Sequence, residues 1–389
     1  MDVERIRGET PGCRHHRIHL NAAGSALPAR PVLDVLLDQV RLEAELGGYE
    51  AADTVGDRLA GTYDSLARLI GARPDEIAFL ESATRAWDMA FFSVPFARGD
   101  RILTTTTEYA SNALAFLQAA RRHGVRIEVV PDDAHGQISL EALKTELDRG
   151  GVRLVAINHV PTHDGLINPA AEVGVLTRAA GALYLLDACQ SVGQLPVDVE
   201  EIGCDLLSAT GRKFLRGPRG TGFLYVRRSA LPRLEPTPID LRAADLTGPK
   251  SYELRPDARR FECWERFVAG QLGLGAAADY ALDLGMDPIA ARIQHLAGLL
   301  RDGLAQLPQV TVRDRGLHRS GIVTFTHASL TAQELVPRLA DRDLVVRASE
   351  QTFRFDEGVA PEPRVRASLH YYNTEEEVDR AVAAIAAVR

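Results

Sequence analysis

The chain has 389 residues, 46% hydrophobic and 25% charged, with a net charge of −8. This is ordinary globular composition with length enough for two domains, and it leaves no electrostatic footprint for nucleic acid. No apolar run approaches the roughly eighteen residues of a membrane span, and Met1 to Arg7 lacks the apolar stretch of a secretory signal. The four cysteines (Cys13, Cys189, Cys204, Cys263) form no Cys-x-x-Cys pair, which predicts no metal site, no disulfide framework and a reducing, cytoplasmic setting.

Residues 1–17 are polar and read as a loose arm. After His19-Leu20-Asn21-Ala22-Ala23-Gly24, the prolines Pro28 and Pro31 open a helix in which Val32, Val35, Leu36, Val40, Leu42 and Leu46 recur at roughly helical spacing. From residue 77 strands and helices alternate. Strands are predicted at 77–80, 101–105, 127–130, 154–157 and 183–186, with helices between them, one capped by Ser111 or Asn112 and one opened by Ser139. An apolar run at 206–208 and a second at 223–226 flank a turn punctuated by Gly217, Gly220 and Gly222. This pattern predicts a mostly parallel sheet with helices on its faces. Residues 229–260 read as a connection. Helices follow at 265–284 and 289–306, then strands at 310–312, 322–325, 344–347 and 364–369, a helix near 331–341 and a last helix near 375–388. The expected organisation is an arm over 1–19, a large α/β domain over 20–260 and a smaller α+β domain over 261–389.

Thr84, Tyr109, Thr162 with His163, Asp187, and Thr210 with Lys213 all fall just past a strand's carboxyl end. Open α/β sheets bind ligands at that edge. Taken singly, each has a plainer reading: Thr84 as a helix cap, Tyr109 as a half-buried aromatic, Asp187 as a turn residue, Lys213 as a surface lysine on a hairpin. As a set they offer four services. Lys213 can form an imine with an aldehyde, Asp187 can pair a protonated ring nitrogen, Tyr109 can stack on a flat ring, and the helix start with Ser82 and Thr84 can offer amides to a phosphate. Pyridoxal 5′-phosphate (PLP) requires all four.

Three stretches then resemble one family. They are Asp187-Ala188-Cys189-Gln190-Ser191-Val192-Gly193, Gly211-Arg212-Lys213 with Gly217-Pro218-Arg219-Gly220-Thr221-Gly222, and Val365-Arg366-Ala367-Ser368 with Tyr372-Asn373-Thr374-Glu375-Glu376-Glu377. They resemble the class V aminotransferase, or cysteine desulfurase-like, branch of fold-type I PLP enzymes. The resemblance implies that Lys213 carries the cofactor and shuttles the Cα proton, and that Asp187 pairs with the pyridinium. It implies that Gln190 and Thr162 meet the phenolic oxygen, and that Thr84 with the Ala83 amide grips the phosphate. Arg366 would bind the substrate carboxylate, for which a bidentate arginine suits better than a lysine. Asn21, His163 and Trp264 would line the substrate side. Thr210 and Arg212 fall where the family commonly has Ser and His near the phosphate, so Arg212 is a departure. Tyr109 stands where desulfurases have a ring-stacking histidine that also does acid–base work.

The desulfurases' nucleophilic cysteine lies in a loop that here, from Ala348 to Pro363, has none. The expectation is therefore β-elimination by a C–S lyase on a cysteine S-conjugate, without persulfide-forming desulfuration. An aminotransferase, an epimerase or a decarboxylating oxidative enzyme are the alternatives. The runs Arg41–Tyr49 and Thr162–Gly165 resemble hercynylcysteine sulfoxide lyase within the family. The stretch Arg260–Arg266 implies a homodimer with shared sites. An amino acid, sulfur-containing by this reading, is the expected partner, with no nucleic acid and no membrane.

Overall fold

The computed structural model describes residues 1–349, 355 and 362–388. Seven strands form the main sheet, in the order Ile77–Leu80, Gly222–Val226, Leu206–Thr210, Leu183–Asp187, Val152–Asn158, Arg101–Thr105, Arg126–Val130. Only Gly222–Val226 runs against its neighbours; the other pairings are parallel. Five of the strands are buried along their whole length, and burial on both faces is why most of them read as apolar runs rather than alternating ones. The fold is mixed α/β, as the strand–helix alternation predicts.

A second, four-stranded antiparallel sheet comprises Val310–Val312, Ile322–His327, Arg364–Ser368 and Arg347–Ser349. It packs its apolar side on the helices Met286–Ala305, Ala332–Ala340 and Glu375–Ala386. Leu344 and Val345, expected to continue into Arg347, instead pair in parallel with Ile18–His19.

Several elements differ from expectation. The first residues are not a loose arm: Val3–Gly8 is a helix with Ile6 buried, and Arg7 bonds the Tyr372 carbonyl and the Glu377 carboxylate. Two helices, Gly48–Thr54 and Gly56–Ile70, lie in a stretch that gave no clear sequence signal. The connection 229–260 contains an exposed hairpin, Ala244–Gly248 with Ser251–Leu254. The helix Ala110–His123 begins at Tyr109, so Ser111 and Asn112 lie inside its first turn rather than capping it.

The parallel strands put their carboxyl ends along one edge of the sheet. The loop from Leu80 into the helix Ala83–Phe92 reaches that edge because Gly222 has no side chain: a Cβ there would lie 2.6 Å from the Ser82 carbonyl carbon and 2.7 Å from the Ala83 nitrogen.

Candidate active site

One cleft at this edge gathers Ala83, Thr84, Tyr109, Thr162, Asp187, Gln190, Thr210, Arg212 and Lys213. Asp187 ends its strand and is 8% exposed. Its Oδ1 accepts from the Cys189 amide at 2.9 Å and its Oδ2 from Asn112 Nδ2 at 3.1 Å. Lys213 opens the turn between two buried strands. Burial lowers its pKa, aided by Arg212 and Arg366 and opposed by Cys189 and Asp187, so its amine is drawn towards the neutral, reactive form. Burial above all drives the Cys189 thiol the other way, well above its ordinary value.

Arg366, on the strand Arg364–Ser368, is 9% exposed and reaches this cleft through Thr162. Its Nη1 donates to the Thr162 carbonyl at 3.1 Å and to Thr162 Oγ1 at 2.8 Å. Gln190 Nε2 also donates to Thr162 Oγ1, at 2.8 Å, and to the Ala23 carbonyl at 3.2 Å. With two donors on its oxygen, the Thr162 hydroxyl keeps its own proton free to donate. Burial lowers Arg366 to about 10, with Arg212 and Arg347 adding repulsion.

His163 bonds Ser349 through Nδ1; burial lowers it to about 4, with Arg366, Arg364 and Lys213 helping, so the ring is neutral at physiological pH. Asn21 is bridged to Ser368, two residues beyond Arg366 on the same strand. Trp264 does not join these residues. It is 51% exposed and lines a separate groove with Tyr49, Arg242 and Phe267. The Arg41–Tyr49 run lies on Arg30–Leu46 and the helix after it, and Glu43 and Tyr49 line that same groove, so it carries no information about the cleft.

Among the described residues, Gln190 Oε1, Asn158 Oδ1 and Arg366 Nε are buried without a hydrogen-bond partner. Buried polar atoms are rarely left so. The first two of these orphans line a space bounded by a carboxylate, a lysine, an aromatic face and the start of a helix, which is the set that PLP fits, and Arg366 meets it through Thr162. Glu108 escaped the sequence reading of this region, and Asn112 entered it only as a candidate helix cap. Glu108 is 3% exposed and holds Asn112, Asn158, Thr104 and the Tyr109 amide; adjacency to Tyr109 was the only signal that pointed to it.

The aminotransferase class-V family model matches residues 18–381. A probable cysteine desulfurase of Synechocystis sp. is 30% identical over 383 residues, covering 94% of this chain and 89% of that one. A cysteine desulfurase of Yersinia pestis is 30% identical over 403 residues, covering 98% and 97%. The apo structure of a cysteine desulfurase from Thermococcus onnurineus NA1 superposes with a TM-score of 0.90 at 26% identity, covering 98% of this chain and 97% of that one. These likenesses overturn the expectation that desulfuration is absent. That expectation rested on one missing cysteine in the 348–363 loop, of which residues 350–354 and 356–361 lie outside the described residues. Release of alanine also needs a thiol that takes the sulfur as the carbon–sulfur bond breaks, and an acceptor thiol other than that loop cysteine can supply it. The chain is a PLP-dependent enzyme and belongs to the class-V aminotransferase family, among relatives named cysteine desulfurases.

Proposed function

We propose that this enzyme removes sulfur from cysteine, leaving alanine and passing the sulfur to a thiol acceptor. The names of its 30%-identical relatives support the reaction. The observation that carries it is the gathering of Lys213, Asp187 and the orphaned atoms of Gln190 and Asn158 in one cleft, which Arg366 meets through Thr162. PLP, when bound, supplies the electron sink for charge developing at the substrate Cα.

The protein's own groups do the rest. Asp187 holds positive charge at the ring nitrogen. Tyr109, 40% exposed at the cleft wall, covers a ring face. Thr84, the Ala83 amide and Thr210, with Arg212 beside them, hold the phosphate. Both N–H bonds of Gln190 are engaged, so Gln190 orients Thr162, whose hydroxyl would be the donor to the phenolic oxygen. Arg366 Nε, left unpaired, takes the substrate carboxylate, with Asn21 close by. Lys213 Nζ moves the Cα proton. His163, neutral and next to Arg366, faces the departing sulfur side and exchanges a proton there.

Further parts of this reading concern assembly and setting. Tyr49 is 71% exposed and Phe267 42%, around the same groove as Trp264, and Val40 and Leu46 are exposed on the neighbouring helix; these support a homodimer across that face. Four unpaired cysteines support a cytoplasmic setting. Separate apolar clusters around the two sheets support a domain division near residue 260, although the helix Val268–Leu284 packs with the first. No helix among the described residues is long and apolar enough to cross a membrane.

The test is to incubate holoenzyme with L-cysteine and a thiol reductant and to measure alanine and sulfide. Both should form in equal amounts without any 2-oxo acid. A strict requirement for a 2-oxo acid, or no reaction with cysteine, would overturn the reading.

A further inference from the structure

We propose that Glu108 is a positioning residue that holds and releases a proton behind Asp187, and so tunes the negative charge presented to the cofactor ring. The proposal rests on the assignment of the cleft to PLP.

The geometry separates the two oxygens of Glu108. Oε1 accepts from the Tyr109 amide at 2.6 Å, Asn158 Nδ2 at 2.7 Å and Asn112 Nδ2 at 2.9 Å. Three N–H donors leave no room for a proton on Oε1. Oε2 meets only Thr104 Oγ1, at 3.0 Å. A hydroxyl can donate to an ionised oxygen or accept from a protonated one. The same arrangement therefore serves both charge states, with only the Thr104 hydroxyl turning over.

Asn112 connects this carboxyl to the other. Its amide nitrogen donates to Glu108 Oε1 and to Asp187 Oδ2 at 3.1 Å. Among the described residues no lysine or arginine bonds Glu108. The groups facing it from the strand Arg101–Thr105, the helix Ala110–His123 and the strand Val152–Asn158 are neutral (Thr104, Asn112, Asn158), and the one charge facing it, from the strand Leu183–Asp187, is Asp187. Burial, and then the Asp187 charge, raise Glu108 to about 7. A positive ring nitrogen on Asp187 would offset that repulsion and lower the proton affinity of Glu108. Cofactor binding then expels a proton from Glu108, and by reciprocity an ionised Glu108 strengthens the hold on a cationic ring.

Glu108→Gln fixes the protonated state, since its oxygen can take the three N–H donors and its NH₂ can face Thr104. A buried acid with a raised pKa stabilises the fold at low pH and loses that contribution as pH rises through its folded value. Wild-type apoprotein should therefore lose thermal stability, relative to Glu108→Gln, between about pH 4.5 and about pH 7. Calorimetric titration of apoprotein with PLP, in two buffers of different ionisation enthalpy, should show wild type releasing about half a proton more than the variant near pH 7. Parallel melting profiles with equal proton counts would overturn the proposal. If Glu108→Gln does not fold, carbon-13 NMR of wild-type apoprotein with labelled glutamate decides. One carboxyl should titrate near 7 and move to lower pH when PLP is added; none titrating above about 5.5 would overturn the proposal. The apoprotein measurements need no cofactor, so PLP binding without the titration sinks the role of Glu108 alone, whereas PLP failing to bind sinks the cofactor assignment and this proposal with it.

Discussion

Two arginines, nearly equally buried, stand at different places in the fold and are treated differently. Arg101, 4% exposed at the amino end of its strand, is saturated. It bonds Glu128 and Glu146 and the carbonyls of Glu146 at 2.8 Å and Gly150 at 2.9 Å. Among the described residues Arg366, 9% exposed on the smaller sheet, has no carboxylate partner, its side chain bonds Thr162, and Nε is bare. A guanidinium is costly to bury, and the cost is offset only where its donors are met. Arg101 meets them within the fold and acts as structure. Arg366 leaves Nε unmet among the described residues, which fits the carboxylate role proposed for it.

The comparison breaks most sharply at the lysine that Arg366 serves. Lys213→Ala should lower cysteine turnover by about 10³-fold or more, with far-UV circular dichroism unchanged. Next, the arginines should separate. Arg366→Lys should reduce kcat/KM for cysteine about 10- to 100-fold, mostly through KM, with little change in Tm, because it removes charge-assisted bonds made only to substrate. Arg101→Lys should do the reverse: a loss of about 2 kcal/mol in denaturant unfolding and an unchanged kcat/KM. A fall in kcat/KM for Arg101→Lys matching that of Arg366→Lys would erase the distinction.

Tyr109 gives a smaller effect. Tyr109→Phe should keep PLP affinity, and Tyr109→Ala should weaken it about three- to tenfold by equilibrium dialysis, the value of one aromatic contact. His163 gives the smallest. Its pKa is lowered to about 4, so the folded protein binds fewer protons than the unfolded chain between about 4 and 6.5. Stability should rise with pH across that window, and His163→Gln should flatten part of the slope in melting curves. A slope unaltered by the substitution would show that the ring is not held neutral.

The cleft was legible in the sequence where chemistry sits next to a strand end. Asp187, Lys213 and Thr84 each follow a buried apolar run, and a parallel sheet brings such ends to one edge whatever their distance along the chain. Arg366 needed the family resemblance, since nothing in its own strand says that it meets Thr162 from another sheet. Glu108 and Asn112 stayed hidden because their meaning is tertiary: a helix that starts at Ala110, two or three residues earlier than expected, turns Asn112 from a cap into a clip between two carboxylates. The helix at the chain start was missed because Ile6 is its single buried side chain, too little for a periodic signal. Trp264, read towards the substrate, and part of the Arg41–Tyr49 run, read as a subgroup resemblance, lie on a groove separate from the cleft. The exclusion of desulfuration failed for a different reason: it inferred the loss of a whole reaction from one residue of one loop.

The central claim is that Lys213 and Asp187 hold one planar cofactor between them. Borohydride reduction of holoenzyme followed by peptide mass spectrometry tests it most directly. A pyridoxyl phosphate mass on the peptide carrying Lys213, lost in Lys213→Ala, is the predicted result; the mass on another lysine, or on none, would contradict it.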